Sequence, residues 1–375
     1  MFSLAGEPGP AALRHSPTAT RRSRRGRSVA DLLHRVRSLA RPTPRRRIRR
    51  RGRTDGRRSR RGSERRDGRR RRSNLSAQRR CRVRCRRSAT LQPMTPAELA
   101  TLPRPLAFVL PGGGALGAYQ VGVLAALAEA GVVPDLLIGV SAGALNAALF
   151  SWNHGADGMR RVDALWRSVK RRDLLRVHPG RLALAFAGLR PSFLDSRHGH
   201  AFLRRHLGGR RLEHAPIPLA IVASDLRTAT PVVLQEGEVV QAVLASTAFP
   251  GVYPPVRWGD SWLIDGGVVA DLPLDIAAEL GAASALVLHV PPLAEAEPPR
   301  RAIDILLRAS SMGIESHGRT VLRRPPSGLT VVEVPAPPSH LGTFSVGTAD
   351  AVIDLAARNA AEWLRTPATE STPST

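Results

Sequence analysis

Gly139-Val140-Ser141-Ala142-Gly143 follows directly on an apolar run, Leu136 to Val140, and leads into a small-residue helical stretch that begins at about Ala142. A Gly-x-Ser-x-Gly between a strand and a helix has a geometric purpose. The turn is too tight for larger side chains, and it lifts the serine hydroxyl clear of the sheet toward the first amides of the helix. A plain Gly/Ala-rich strand–helix junction is the competing reading, because small residues are common in this chain. The stretches on either side decide between the two.

Upstream, Leu106 to Leu110 reads as a buried strand that runs into Pro111-Gly112-Gly113-Gly114-Ala115-Leu116-Gly117. A helix follows, with apolar positions at Leu116, Tyr119, Val123, Leu124 and Leu127. Gly131 and Pro134 end it, and Asp135 to Val140 form the second strand. Apolar runs alternating with helical patterns indicate βα units and a mostly parallel sheet.

The glycines bear two readings. Gly112-x-Gly114-x-x-Gly117 matches a dinucleotide fingerprint, and Asp135, 18 positions after Gly117, stands near the place of the ribose-binding acid. Alternatively, bare backbone amides at a helix start donate to an oxygen that becomes negative during acyl transfer. A dinucleotide site does not require a serine turn on the very next strand, so the two glycine features together favour acyl transfer.

Residues 155 to 215 interrupt this rhythm, with 14 basic residues against five acids and Trp166, Phe186, Phe193 and Phe202 interspersed. They read as a solvated helical insertion, or as a cap whose basic face approaches phospholipid headgroups. The sheet resumes with strands at Ile217 to Ala223 and Pro231 to Leu234, and a helix starts at about Glu238. Trp262-Leu263-Ile264-Asp265-Gly266-Gly267 then delivers a carboxylate into a glycine turn, either a plain hairpin or the place of a catalytic base. Helices at Pro273 to Leu280, Ile303 to Val321 and Val346 to Leu364 and strands at Ala285 to Val290 and Leu329 to Val334 complete the same domain.

The glycine loop, the serine turn and Asp265-Gly266-Gly267 occur in the order and spacing of the patatin-like phospholipases, which this chain resembles from Leu106 to Ile276. Ala223-Ser224-Asp225-Leu226 and Ala245-Ser246-Thr247-Ala248-Phe249-Pro250 are similar to that family's intervening stretches. The resemblance implies a three-layer α/β/α sandwich with a mostly parallel central sheet and a serine lipid acyl hydrolase. Ser141 is the implied nucleophile, Asp265 the group that activates it, and the amides of Gly112, Gly113 and Gly114 the oxyanion donors. No metal or cofactor is implied, and the implied partner is a lipid or ester substrate. Two departures stand out: Leu116 where many members carry Arg or Lys, and Asp271 where Asn is common. In a hydrolase using Ser, Asp and His in that order, the histidine candidates are His289, His317 and His340, with His289 placed best on a strand.

Charge divides the chain. Residues 1 to 87 hold 32 arginines against five acids, which accounts for the whole net charge of +27. Residues 1–93 are therefore expected to be a disordered Arg-rich tail, either an electrostatic arm for nucleic acid or anionic lipid, or upstream sequence ahead of a start at Met94. The folded part, electrically balanced, is a poor nucleic-acid binder. The expected domain spans 105–278, with the insertion at about 155–215 and a continuation over 279–365. Cys81 and Cys85 lie in the tail without metal-binding partners. No apolar run approaches the ~18 residues of a membrane span, and no signal-peptide core follows the basic N-terminus. The expected location is the cytoplasm, with peripheral contact at an anionic membrane surface.

Overall fold

The five residues Leu106–Leu110 divide the core between two faces of a sheet. Leu106, Phe108 and Leu110 join one apolar cluster, and the smaller Ala107 and Val109 join another. All five are fully buried, as in a central parallel strand covered on both sides.

The computed structural model describes residues 93–170, 178–292, 301–337 and 349–365, within one unit spanning Cys81–Thr375. In chain order the elements are α1 (Pro96–Ala100), β1 (Leu106–Leu110), α2 (Ala118–Glu129), β2 (Leu136–Val140), α3 (Ala142–Ser151), α4 (Ala156–Ser168), α5 (Pro179–Phe186) and α6 (Arg197–Leu207). They continue as β3 (Leu219–Asp225), β4 (Pro231–Leu234), α7 (Val239–Ser246), β5 (Val256–Trp258), β6 (Ser261–Asp265), α8 (Gly267–Ala270), α9 (Leu274–Glu279), β7 (Ser284–Leu288), α10 (Ala302–Arg323), β8 (Thr330–Val334) and α11 (Ala349–Arg365). A short 3₁₀ turn, Gly114–Gly117, precedes α2.

The strands form one sheet in the order β5-β6-β3-β2-β1-β7-β8, with β4 also paired to β3. The pairs from β3 through to β8 are parallel, and those joining β4, β5 and β6 are antiparallel. Helices cover both faces, so the molecule is a three-layer α/β/α sandwich. The first cluster packs α2, α3, α4, α7 and α11 on one face, and the second packs α9 and the end of α10 on the other.

Strand lengths explain how two distant segments meet. β3 has seven residues, and β4 pairs with Ile221 to Ser224 along one edge. β2 pairs with Leu219 to Val222 and β6 with Ala223 to Asp225. Both overlap the stretch β4 occupies, and a residue takes one partner per edge, so β2 and β6 share the opposite edge of β3. They arrive head to head: Val140 lies opposite Val222, and Asp265 opposite Ala223. This places the residue after β2 beside the residue that ends β6.

Two stretches are more tightly built into the fold than their composition suggests. Met94 to Leu99 are anchored to the domain. Thr95 caps α1 in a reciprocal capping box with Glu98, Leu99 is fully buried, and Met94 N–H donates to Trp363 O at 3.2 Å. Residues 155–215 hold helices and no strand among the described residues, yet they are not simply solvated: α4 buries Met159, Val162 and Trp166 in the main core, and α6 buries Leu203 and Leu207. Charge count misled there: the basic residues line the outer faces of amphipathic helices whose inner faces are apolar. α5 buries none of its residues. The Arg-rich stretch with Cys81 and Cys85, as well as Arg171, Arg172 and His340, lies outside the described residues.

Candidate active site

Ser141 sits between β2 and α3 with φ 52° and ψ −120°, a left-handed conformation rarely adopted by a non-glycine residue. The flanking glycines make this turn fit. A Cβ on Gly143 would lie 2.0 Å from Leu110 O, and one on Gly139 would lie 2.5 Å from Gly143 O. The strained backbone is held by hydrogen bonds, since Ser141 N–H donates to Ser246 Oγ at 2.8 Å and that hydroxyl donates to Val222 O at 2.6 Å.

Ser141 Oγ donates to Asp265 Oδ2 at 2.6 Å, and Gly267 N–H donates to Asp265 Oδ1 at 2.9 Å. Asp265 is 3% exposed. Burial pushes its carboxyl up to about 6, against the opposing pull of the hydrogen bonds from Ser141 and Gly267. Such a carboxylate is ionised at neutral pH, yet more basic than an exposed one.

The glycine loop runs beside this pair, and a Cβ on Gly112 would lie 3.2 Å from Ser141 Cβ. Gly112 departs from its expected part as an oxyanion donor, because its N–H is already given to Asp271 Oδ1 at 3.0 Å. At the other end of the same peptide, Pro111 O accepts from Gln120 Nε2 at 2.9 Å. Gly113 O accepts from Leu116 N–H at 3.1 Å. The N–H groups of Gly113 and Gly114 make no hydrogen bond among the described residues, and both glycines line the cleft.

A buried polar relay stiffens the loop from behind. Trp166 Nε1 donates to Asn146 Oδ1 at 3.0 Å, and Asn146 Nδ2 donates to Gln120 Oε1 and to Gly117 O, each at 2.9 Å. Gln120 and Asn146 are fully buried. The reading of the sequence missed this relay and Ser246. A lone Gln in α2 and a lone Asn in α3, each within an otherwise apolar or small-residue helix, were the available signal.

Ser141 and Asp265 open into a cleft of about 650 Å³ whose walls are mainly apolar, including Leu116, Leu145, Trp166, Phe202, Leu203 and Leu244. His289, just past β7, lines the same cleft but pairs through Nε2 with Glu333 Oε2 at 2.7 Å, not with Asp265. His317 is exposed on α10. Asp135 precedes β2 and is bound by Arg104 and by Leu106 N–H at the start of β1. It therefore sits at the end of the sheet opposite the glycine loop, where it cannot reach a nucleotide held at that loop.

Residues 108–278 match the family model for patatin-like phospholipase. An uncharacterized NTE family protein of Mycobacterium tuberculosis is 32% identical over 173 residues, 46% of this chain and 28% of that protein. Patatin-like phospholipase domain-containing protein 7 of Mus musculus is 32% identical over 191 residues, 49% of this chain and 13% of that protein. The matches thus span less than a third of these relatives' length. Among solved structures, VipD from Legionella pneumophila aligns with a TM-score of 0.37 at 14% identity over 70% of this chain and 67% of its own.

Proposed function

We propose, from the premise that residues 108–278 form a patatin-like phospholipase domain, that the protein is a serine hydrolase of carboxylic esters in lipids, working through Ser141 and Asp265. The observation that carries this reading is the 2.6 Å contact from Ser141 Oγ to Asp265 Oδ2 on the wall of an apolar cleft.

In this reading Ser141 Oγ attacks the ester carbonyl carbon as Asp265 Oδ2 takes its proton. The carbonyl oxygen becomes an oxyanion and accepts from Gly113 and Gly114 N–H, donors fixed before the reaction begins. Collapse of the tetrahedral intermediate breaks the ester C–O bond, and Asp265 returns the proton to the departing alkoxide. Water, deprotonated by the same carboxylate, then attacks the acyl-serine and releases the carboxylic acid and Ser141. The relatives whose names say phospholipase and the apolar lining of the cleft support a lipid acyl group as the substrate.

Contact with a lipid surface belongs to the same proposal. α5 exposes Leu184 and Phe186, and the exposed Leu189 and Arg190 follow it, whereas Arg181 turns inward and donates to Ser192 Oγ at 3.1 Å. Phe186 packs at a tilt against Phe193 with centroids 5.2 Å apart, and Phe193 N–H donates to Gly251 O at 2.8 Å, close to Phe249 and Tyr253 of the cleft wall. Exposed apolar side chains beside an arginine suit an anionic bilayer surface. Among the described residues no helix is long and apolar enough to cross a membrane.

The test is labelling with a fluorophosphonate probe, read by intact mass, alongside turnover of phospholipid and monoacyl lipid. The parent protein is expected to take one probe molecule and to release fatty acid, whereas Ser141→Ala and Asp265→Asn do neither. Equal labelling of Ser141→Ala and the parent overturns the reading.

A further inference from the structure

Asp271 is a polar side chain of the cleft that the reaction above leaves without a task. It follows α8, opens on the cleft, and accepts Gly112 N–H through Oδ1 at 3.0 Å. The position of Oδ1 is bracketed from both sides. It lies 2.9 Å from where a Cβ on Gly112 would stand and 3.1 Å from where one on Gly267 would stand. Asp265 Oδ1 lies 3.2 Å from the same Gly267 position. Two carboxylates thus flank one glycine, one beside the serine and one beside the glycine loop.

Resting on the hydrolase reading, we infer that Asp271 is a positioning residue. Its carboxyl pins the Pro111–Gly112 peptide so that Gly113 and Gly114 turn their N–H groups to the cleft.

The pinning follows from hydrogen bonding at both ends of one planar peptide, with Gln120 on the carbonyl and Asp271 on the N–H. With that plane fixed, the next two peptides have little freedom to turn away, and a donor fixed in advance costs no reorganisation during the reaction. Burial pushes Asp271 itself up to about 7, with Asp265 and Glu315 adding to the shift against the hydrogen bond from Gly112. The charged groups around it are Asp265 at the end of β6 and Glu315 on α10, the latter paired with Arg308 at 2.7 Å and Arg319 at 3.8 Å. His289 and Glu333 on the same cleft pair with each other. Among the described residues no Lys or Arg forms an ion pair with Asp271.

The experiment measures the rate of fluorophosphonate labelling at Ser141 from pH 4.5 to 9 in the full-length protein and in Asp271→Asn and Asp271→Ala. Asn keeps an acceptor for Gly112 N–H and removes the charge. Its plateau rate is expected to stay within about tenfold of the parent. Ala removes the acceptor, and its plateau rate is expected to fall by more than about tenfold. If the Ala protein does not fold, Asp271→Leu, which fills the space without an acceptor, is read in the same way. A parental plateau in the variant lacking an acceptor, or a plateau in Asp271→Asn that falls as far as in that variant, overturns the inference while the hydrolase reading stands. A parent protein that never labels at Ser141 overturns both.

Discussion

Asp265 serves as a base only when ionised, so its environment sets the lower pH limit of the proposed activity. With its carboxyl raised to about 6, kcat/KM on a soluble ester is expected to climb through pH 6 and level off above about pH 7.5, the rise belonging to Asp265 and Asp271 as a coupled pair. A profile flat down to pH 4.5 contradicts this. The same burial costs stability. Between about pH 4 and pH 7 the unfolded chain has lost these two protons while the folded one still holds them, so stability falls as pH rises through that window. Asp225, held down to about 2 by hydrogen bonds from Ser261, Thr228 and Arg227, acts in a separate window, its contribution being lost as pH falls from about 4 to about 2. Asp265→Asn is therefore expected to be inactive yet more stable than the parent at pH 7.5, by about 1–3 kcal/mol, with the gain shrinking at pH 4.5; thermal melts at the two pH values check it. Ser246→Ala attacks the site differently, leaving the partly buried Ser141 N–H without this acceptor. A loss of about 1–3 kcal/mol in urea unfolding and slower labelling are expected.

At the scale of elements, the site is a consequence of how the strands of the sheet share edges and how helices α2, α3 and α4 lie against it. β2 and β6 divide one edge of β3, so Ser141 and Asp265 meet although 124 positions separate them. α4 contributes through Trp166, whose indole both lines the cleft and donates to Asn146 in the relay behind the glycine loop. Trp166→Phe keeps most of the apolar volume and removes that donor, leaving Asn146 Oδ1 buried and unsatisfied. Unfolding in urea is expected to show a loss of about 1–3 kcal/mol. A further loss from deleting Asn146 in the same background should be smaller than its loss in the parent, because the two act as one unit.

At the scale of the whole molecule, charge and chemistry occupy different parts of the chain. Residues 1–87 carry the entire net charge of +27, and every residue of the proposed site lies beyond Met94. Met94 and Thr95 are themselves anchored, through Trp363 O and the Glu98 capping box. Deleting residues 1–93 is thus expected to abolish salt-sensitive binding to polyanions and anionic vesicles, while labelling at Ser141 continues at the parental rate. Retention of polyanion binding in the shortened protein would place that surface in the folded domain.

Short-range patterns were enough to read the βα alternation, the glycine loop and the serine turn, because strand period, helix period and a glycine-flanked turn are all set by neighbours in the chain. Resemblance to a family marked Asp265 among the many Asp-Gly turns a chain can hold. The remaining features depended on parts of the chain far apart in sequence. Spacing made Asp135 look like a nucleotide-binding acid, but spacing does not say at which end of a strand a residue falls. Charge made residues 155–215 look peripheral, whereas Met159, Val162 and Trp166 had to be seen against α2 and α3 to be recognised as core. Three glycine amides looked equivalent, and only the approach of Asp271 across 159 positions shows that Gly112 has already given its N–H away. Local sterics and periodic burial, written residue by residue, marked most strands, helices and tight turns, while the three-residue β5 is too short to carry a period of its own. Only the tertiary structure decided which groups share a hydrogen bond and which remain free for a substrate, because each donor can be spent once, on whatever acceptor the folded chain brings within 3 Å.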